Sequence, residues 1–150
     1  MTMKYFAYGS NMDKDRMSER KINFSSRQFA KLSGYKLVFD KKAKDGDFAY
    51  ANIVSSEFDF VEGAVYEFPD NEIANLDKKE GYPEHYNRVN VILSDELGNQ
   101  FQAVTYIAQE NKRVDGLLPQ KKYLKHLLAG QDILSKEYFE KLYKTKTCDG

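Results

Sequence analysis

The sequence is poor in cysteine, has no long apolar run and carries no excess charge of either sign. Cys148 is its only cysteine, which excludes an internal disulfide. Lysine and arginine together number 23, as do aspartate and glutamate, so no overall field favours nucleic acid or an anionic membrane surface. No apolar run approaches the roughly 20 residues of a membrane-spanning helix, and the first residues lack the apolar core of a signal peptide. We expect a soluble, cytoplasmic protein with a small neutral or zwitterionic partner, and no binding to nucleic acid or membrane.

Several common catalytic signatures are also missing. The glycines form neither of the usual nucleotide-binding loops, GxGxxG and GxxxxGKS, and no GxSxG motif surrounds Ser10. His85 and His126 are far apart and have no cysteine or acidic neighbours at ligand spacing, which argues against zinc. We therefore expect no metal and no cofactor, and we interpret the two histidines as surface or edge residues.

The first distinctive stretch is YFAYGSNM, from Tyr5 to Met12. Its alternating aromatic and small apolar residues predict a strand, which Gly9 ends. Ser10 and Asn11 are good N-cap residues and predict the start of a polar, solvent-facing helix. Such a turn leaves backbone N–H groups free to attract a carboxylate or phosphate. The stretch is therefore a candidate ligand cradle.

The rest of the chain predicts one α+β domain over residues 1–150, with a flexible tail at about residues 144–150. The loop between the strands predicted at 35–39 and 48–54 contains Asp45-Gly46, which predicts a hairpin. Gly63, inside the strand predicted at 58–68, predicts a bulge or a close backbone approach. Five or six largely antiparallel strands could close into a small barrel with flanking helices. Beyond the first strand, the patterns predict strands at 35–39, 48–54, 58–68, 86–93 and 101–107, and helices at 12–21, 70–80, 119–129 and 135–143.

Glu80 is the most informative single residue. The predicted helix begins at a capping Asp70 and ends at Gly81, and the spacing of Ile73, Leu76 and Glu80 places all three on its apolar face. A half-buried carboxylate has a raised pKa, which suits a general acid and base near neutral pH. The alternative is a solvated residue in the last turn, because helix ends are uncertain by a residue or two.

Several segments resemble the γ-glutamylcyclotransferase (AIG2-like) family in order and spacing. The pair YGSN and LDxxEG, which here ends in Glu80 and Gly81, is far more specific than either motif alone. The resemblance implies a mixed, mostly antiparallel barrel, an essential Glu80, and substrate contacts from Tyr8, Gly9, Ser10, Asn11, Met12, Tyr86 and Tyr123. The segments are Tyr5 to Asn11, Ala51 to Ile53, Val61 to Tyr66, Leu76 to Gly81, Tyr86 with Arg88, and Tyr123 to Gly130.

The resemblance also implies a reaction of the carbon–nitrogen lyase type. The α-amine of a γ-glutamyl compound attacks its own γ-carbonyl, which releases 5-oxoproline and a free amino acid, with Glu80 moving the proton. Three alternatives stay open: a γ-glutamylamine cyclotransferase, a relative that removes γ-glutamyl groups from a carrier, and a binding module without turnover. The oligomeric state is also open, with a homodimer as one option.

Overall fold

Five strands close into a barrel in the computed structural model, which describes residues 1–150. The spatial order is β1-β3-β2-β4-β5. Neighbouring strands run antiparallel, except that β1 and β5 meet in parallel at Tyr5 and Val104 and so close the barrel. This confirms the predicted mixed, mostly antiparallel barrel. The strands are β1 Thr2–Ala7, β2 Ser26–Lys42, β3 Ala49–Pro69, β4 Tyr86–Ser94 and β5 Gln100–Ala108.

The predicted hairpin forms, but its two strands are much longer than the sequence indicated. Residues 26–34, which precede the strand predicted at 35–39, also belong to β2, and the two strands predicted at 48–54 and 58–68 are one strand, β3. The sequence pattern divided β3 in two because residues 55–60 include several polar side chains. Most side chains in this range face solvent. The register between β2 and β3 shifts at this point, from Tyr35 opposite Ser55 to Ser33 opposite Phe60.

Gly63 marks a close approach of two strands rather than a bulge. A Cβ atom at this position would lie 2.3 Å from the carbonyl oxygen of Ala7 and 2.8 Å from the ring of Phe6. Only glycine leaves room for the end of β1 to lie this close to β3. The contact fixes the strand end that leads directly into Tyr8 and Gly9.

Four short helices flank the barrel: α1 Lys14–Glu19, α2 Ile73–Glu80, α3 Lys121–Leu128 and α4 Lys136–Tyr143. As predicted, α2 ends at Gly81, which adopts a left-handed conformation with φ of 70°. Ser135 also caps α4 as predicted, since its side chain accepts a hydrogen bond from the N–H of Tyr138. None of these helices has the length and apolar character needed to cross a membrane.

Two predicted helix starts are wrong in detail. Ser10 and Asn11 form a 3-10 turn, Ser10–Met12, and the cap of α1 is Asp13, which accepts from the N–H of Asp15. Asp70 begins a second 3-10 turn, Asp70–Glu72, and makes no capping hydrogen bond. In both places a tight turn re-aims the chain before the α-helix begins.

The buried core ties the helices to the barrel and thereby orients the site. Leu76 is fully buried and anchors α2, while Met17 and Leu127 do the same for α1 and α3. The chain after α4 also contacts the start of α3, because the N–H of Lys121 donates to Oδ1 of Asp149 at 2.9 Å. Glu80, one turn beyond Leu76, is therefore held on the side of α2 that faces the barrel.

Candidate functional site

A cavity of about 390 Å³ lies beside the end of β1, where the barrel strands meet α1, α2 and α3. This volume falls within the range of small-molecule sites. Residues from distant parts of the chain line it, and all but one of the predicted site residues are among them. The predicted residues in the lining are Tyr8, Gly9, Ser10, Asn11, Glu80, Tyr86 and Tyr123.

Asn11 joins the turn after β1 to the carboxylate on α2. Its side chain is buried, and its Nδ2 donates to Oε1 of Glu80 at 3.3 Å and to the hydroxyl of Tyr5 at 3.0 Å. Its Oδ1 accepts from Nη1 of Arg20 at 2.7 Å. The turn and the glutamate therefore face each other across one cavity.

Glu80 lies in surroundings that disfavour its charged form. Burial raises the pKa of its carboxyl above the ordinary value, and Arg20, Arg16 and Lys41 offset only part of this effect. The side chain is partly buried, as its place on the inner face of α2 requires. The group can therefore change protonation state closer to neutral pH than a solvated glutamate does.

The turn itself offers a free donor in the N–H of Gly9, which makes no hydrogen bond within the chain. The space around Gly9 is narrow, because a Cβ atom there would lie 3.2 Å from the Cβ of Ala51 and 3.4 Å from the hydroxyl of Tyr123. Met12 is the predicted site residue that the structure places elsewhere. Its N–H donates to the carbonyl of Gly9, and its side chain is fully buried against Gly130. Its apolar side chain belongs to the core and does not line the cavity.

The three predicted tyrosines are held by backbone hydrogen bonds. Tyr8 donates to the carbonyl of Tyr106 at 2.5 Å, and Tyr86 donates to the carbonyl of Ala51 at 3.0 Å. Tyr123 instead accepts from the N–H of Ala51 at 2.9 Å. The hydroxyl proton of Tyr123 is therefore free to donate to a ligand, whereas those of Tyr8 and Tyr86 are engaged.

Sequence reasoning missed the cations of the cavity. Arg16 and Arg20 line it, although the sequence predicted a solvent-facing helix here. Arg20 directly follows α1 and lies four residues after Arg16, so the two side chains leave the helix on the same side, and this spacing was a signal that could have found them. Lys41 of β2 lines the cavity as well.

Both histidines lie at or near the cavity, which their neighbours in the sequence did not indicate. His85 lines the cavity. His126 lies between two residues near it, with Nδ1 2.8 Å from Oδ2 of Asp13 and Nε2 3.2 Å from Nη1 of Arg16. His126 therefore helps to orient Arg16, whose Nε is buried without a partner in the chain.

The family model described as gamma-glutamyl cyclotransferase, AIG2-like, matches residues 5–125. The chain belongs to this family. The matched range contains every residue predicted for the site, from Tyr8 to Tyr123. The resemblance seen in the motifs is thereby confirmed, and the γ-glutamyl cyclotransferase fold accounts for the barrel.

Individual relatives agree with the family match. A curated γ-glutamylcyclotransferase from Bos taurus is 28% identical over 145 residues, which cover 92% of this chain and 76% of the relative. A solved structure of a γ-glutamyl cyclotransferase has a TM-score of 0.87 at 26% identity and covers 100% of this chain and 91% of its own. An uncharacterized protein from Homo sapiens has a TM-score of 0.85 at 26% identity, with coverage of 99% and 90%.

Proposed function

We propose that this member of the γ-glutamyl cyclotransferase family is an enzyme that converts γ-glutamyl amino acids into 5-oxoproline and a free amino acid. One observation carries the proposal: Glu80 and the turn of Gly9 to Asn11 line a single cavity, with Nδ2 of Asn11 3.3 Å from the carboxylate. The cationic lining supports a substrate with carboxylates. A cytoplasmic location is part of the proposal, in keeping with a single cysteine.

Glu80 is the proposed general base and general acid. It takes a proton from the substrate's α-ammonium group, and the free amine attacks the γ-carbonyl carbon to form the new C–N bond of the five-membered lactam. When the original amide C–N bond breaks, Glu80 returns the proton to the departing amine. The attacking nitrogen loses a second proton after the C–N bond forms, and the departing amine gains a second proton to leave as ammonium. Glu80 therefore moves two protons in succession, and its raised pKa suits both the uptake and the return.

The remaining donors of the cavity have complementary roles in this proposal. The N–H of Gly9 and the hydroxyl of Tyr123 are the candidates to stabilise the oxyanion that develops on the γ-carbonyl oxygen. Arg16, with its unpartnered Nε, is the candidate to bind the α-carboxylate. Together they would hold the γ-glutamyl chain curled, which brings the amine to the carbonyl.

The test is the formation of 5-oxoproline from a panel of γ-glutamyl dipeptides by the purified protein. Glu80→Gln keeps the shape of the side chain and removes the base, so we expect turnover to fall about 100- to 10,000-fold. Glu84→Gln, at an exposed carboxylate four residues later, is the matched control and should keep wild-type activity. Unaltered activity in Glu80→Gln would contradict the assigned role. Tight binding of the dipeptides without any product would support the alternative of a binding module.

A further inference from the structure

Lys41 is a buried cation without an acidic partner. Only 6% of the residue is exposed, yet it lines the cavity. Its Nζ donates to the carbonyl of Lys42 at 3.3 Å and lies 5.9 Å and 5.6 Å from the ring centres of Tyr50 and Tyr86. None of the ion pairs in the chain includes it.

This arrangement is unfavourable in the free protein. Buried charges are normally paired, because removing an ammonium group from water is costly. Burial lowers the pKa of Lys41, and the positive charge of Lys112 lowers it further, while Glu80 gives a smaller opposing effect. Asp40, the next residue, is occupied by Arg113, whose Nε lies 2.8 Å from its Oδ2. An anion that entered the cavity would supply the missing partner.

The position of Lys41 separates it from the groups assigned to the γ-glutamyl part of the substrate. Tyr123 reaches Gly9 with its hydroxyl, and its ring packs against Tyr50 with the ring centres 5.1 Å apart. Lys41 lies next to Tyr50 in turn. A substrate whose γ-carbonyl meets Gly9 and Tyr123 can therefore extend past Tyr50 toward Lys41 with its leaving group.

We propose that Lys41 binds the carboxylate of the leaving amino acid and so selects γ-glutamyl amino acids over γ-glutamyl amines. This inference rests on the function proposed above. The γ-glutamyl part is common to both kinds of substrate, and the leaving-group carboxylate is what distinguishes them. Lys41 is thus a specificity-determining residue: its charge also lowers the pKa of Glu80, but its proposed contact is with the leaving group.

The experiment compares γ-glutamyl-alanine with γ-glutamyl-ethylamine, which differ only by that carboxylate. We expect the wild-type protein to prefer γ-glutamyl-alanine in kcat/KM. Measured on the plateau of each variant's own pH profile, Lys41→Met should lower kcat/KM for γ-glutamyl-alanine about 10- to 100-fold more than for γ-glutamyl-ethylamine, the range of one charge-assisted hydrogen bond. The plateau comparison removes the effect of the lost charge on the pKa of Glu80, which is common to both substrates. Lys41→Arg, which keeps the charge, should restore part of the preference. Lys36→Met, at an exposed lysine of the same strand, should alter neither substrate.

The outcomes that overturn the inference are distinct from those that overturn the function. Equal turnover of both compounds by the wild-type protein, or an equal loss for both in Lys41→Met, would refute the role of Lys41 and leave the cyclotransferase proposal intact. Formation of no 5-oxoproline from either compound would refute the proposed function. Calorimetric affinities of the wild-type protein for the same two compounds would then still decide whether the carboxylate is recognised.

Discussion

Replacing Asn11 by aspartate would place a second carboxylate beside Glu80. The wild-type amide donates to Oε1 of Glu80 at 3.3 Å, and the substitution replaces this donor by a negative charge at nearly the same distance. Two carboxylates that share a site cannot both ionise easily, so the first proton is retained to a higher pH. Since Glu80 must be ionised to accept the ammonium proton, activity should be lost at a higher pH on acidification than in the wild-type protein.

The size of the shift follows from the separation and the neighbouring charge. Two unit charges about 4 Å apart interact by about 4 kcal/mol at an effective dielectric constant of about 20. That energy corresponds to an upper limit of about 3 pKa units. Arg20, which lies 2.7 Å from Oδ1 of Asn11, would pair with the new carboxylate and offset part of the repulsion. We expect the acidic limb to move up by about 1–2 units after this pairing is included.

The assay is the pH dependence of kcat/KM for γ-glutamyl-alanine, because this parameter reports the pKa values of the free enzyme. Asn90→Asp adds the same charge at an exposed position of β4 and is the control for net charge. Its profile should coincide with that of the wild-type protein. If the folded Asn11→Asp variant kept an unshifted acidic limb, Glu80 would not be the group that titrates in the profile, and the proposed proton transfer would be wrong.

Three further predictions concern stability and are measured by urea denaturation. Glu80→Gln should be at least as stable as wild type at pH 7. Folding raises the pKa of Glu80, so the folded state loses stability as the pH rises from the pKa of Glu80 in the unfolded chain to its pKa in the folded protein. A clear loss of stability would contradict this sign. Gly63→Ala should lower the free energy of unfolding by about 1–3 kcal/mol through its contact with Ala7. Gly34→Asn, in open space at φ of 85°, should cost less, because asparagine tolerates this backbone conformation better than most residues and meets no neighbour; equal losses would refute the close-approach argument. Leu76→Ala should cost about 2–5 kcal/mol, and a loss below 1 kcal/mol would show that α2 is not anchored there.

The features that the sequence could predict are those set by local periodicity and turn chemistry. The spacing of Ile73, Leu76 and Glu80 placed the carboxylate on the inner face of α2, and Gly81 fixed the end of that helix. The strands β4 and β5 were also predicted nearly to their ends, because a short turn with Gly98 separates two clear runs of β-forming residues. In each case the controlling residues are close together in the chain.

Lys41 shows why the alternation of apolar and polar residues could not predict other features of the site. Strict alternation directs neighbouring residues of a strand to opposite faces, but Asp40 and Lys41 are both buried. A register shift between Phe39 and Lys41 makes this possible, and it depends on the pairing of β2 with β3. The core position of Met12 was not predictable for a related reason, since the 3-10 turn directs its side chain toward Gly130, a residue far along the chain.

The parallel contact between Tyr5 and Val104 has a consequence for the order in which the protein folds. The turn after β1 precedes the other walls of the cavity in the chain, and these walls come from residues as late as Tyr123. Contacts between such distant residues carry a high entropic cost of chain closure and form slowly. The turn after β1 therefore cannot form its part of the cavity until most of the chain has been synthesised. A nascent or truncated chain that stops before β5 cannot assemble the cavity.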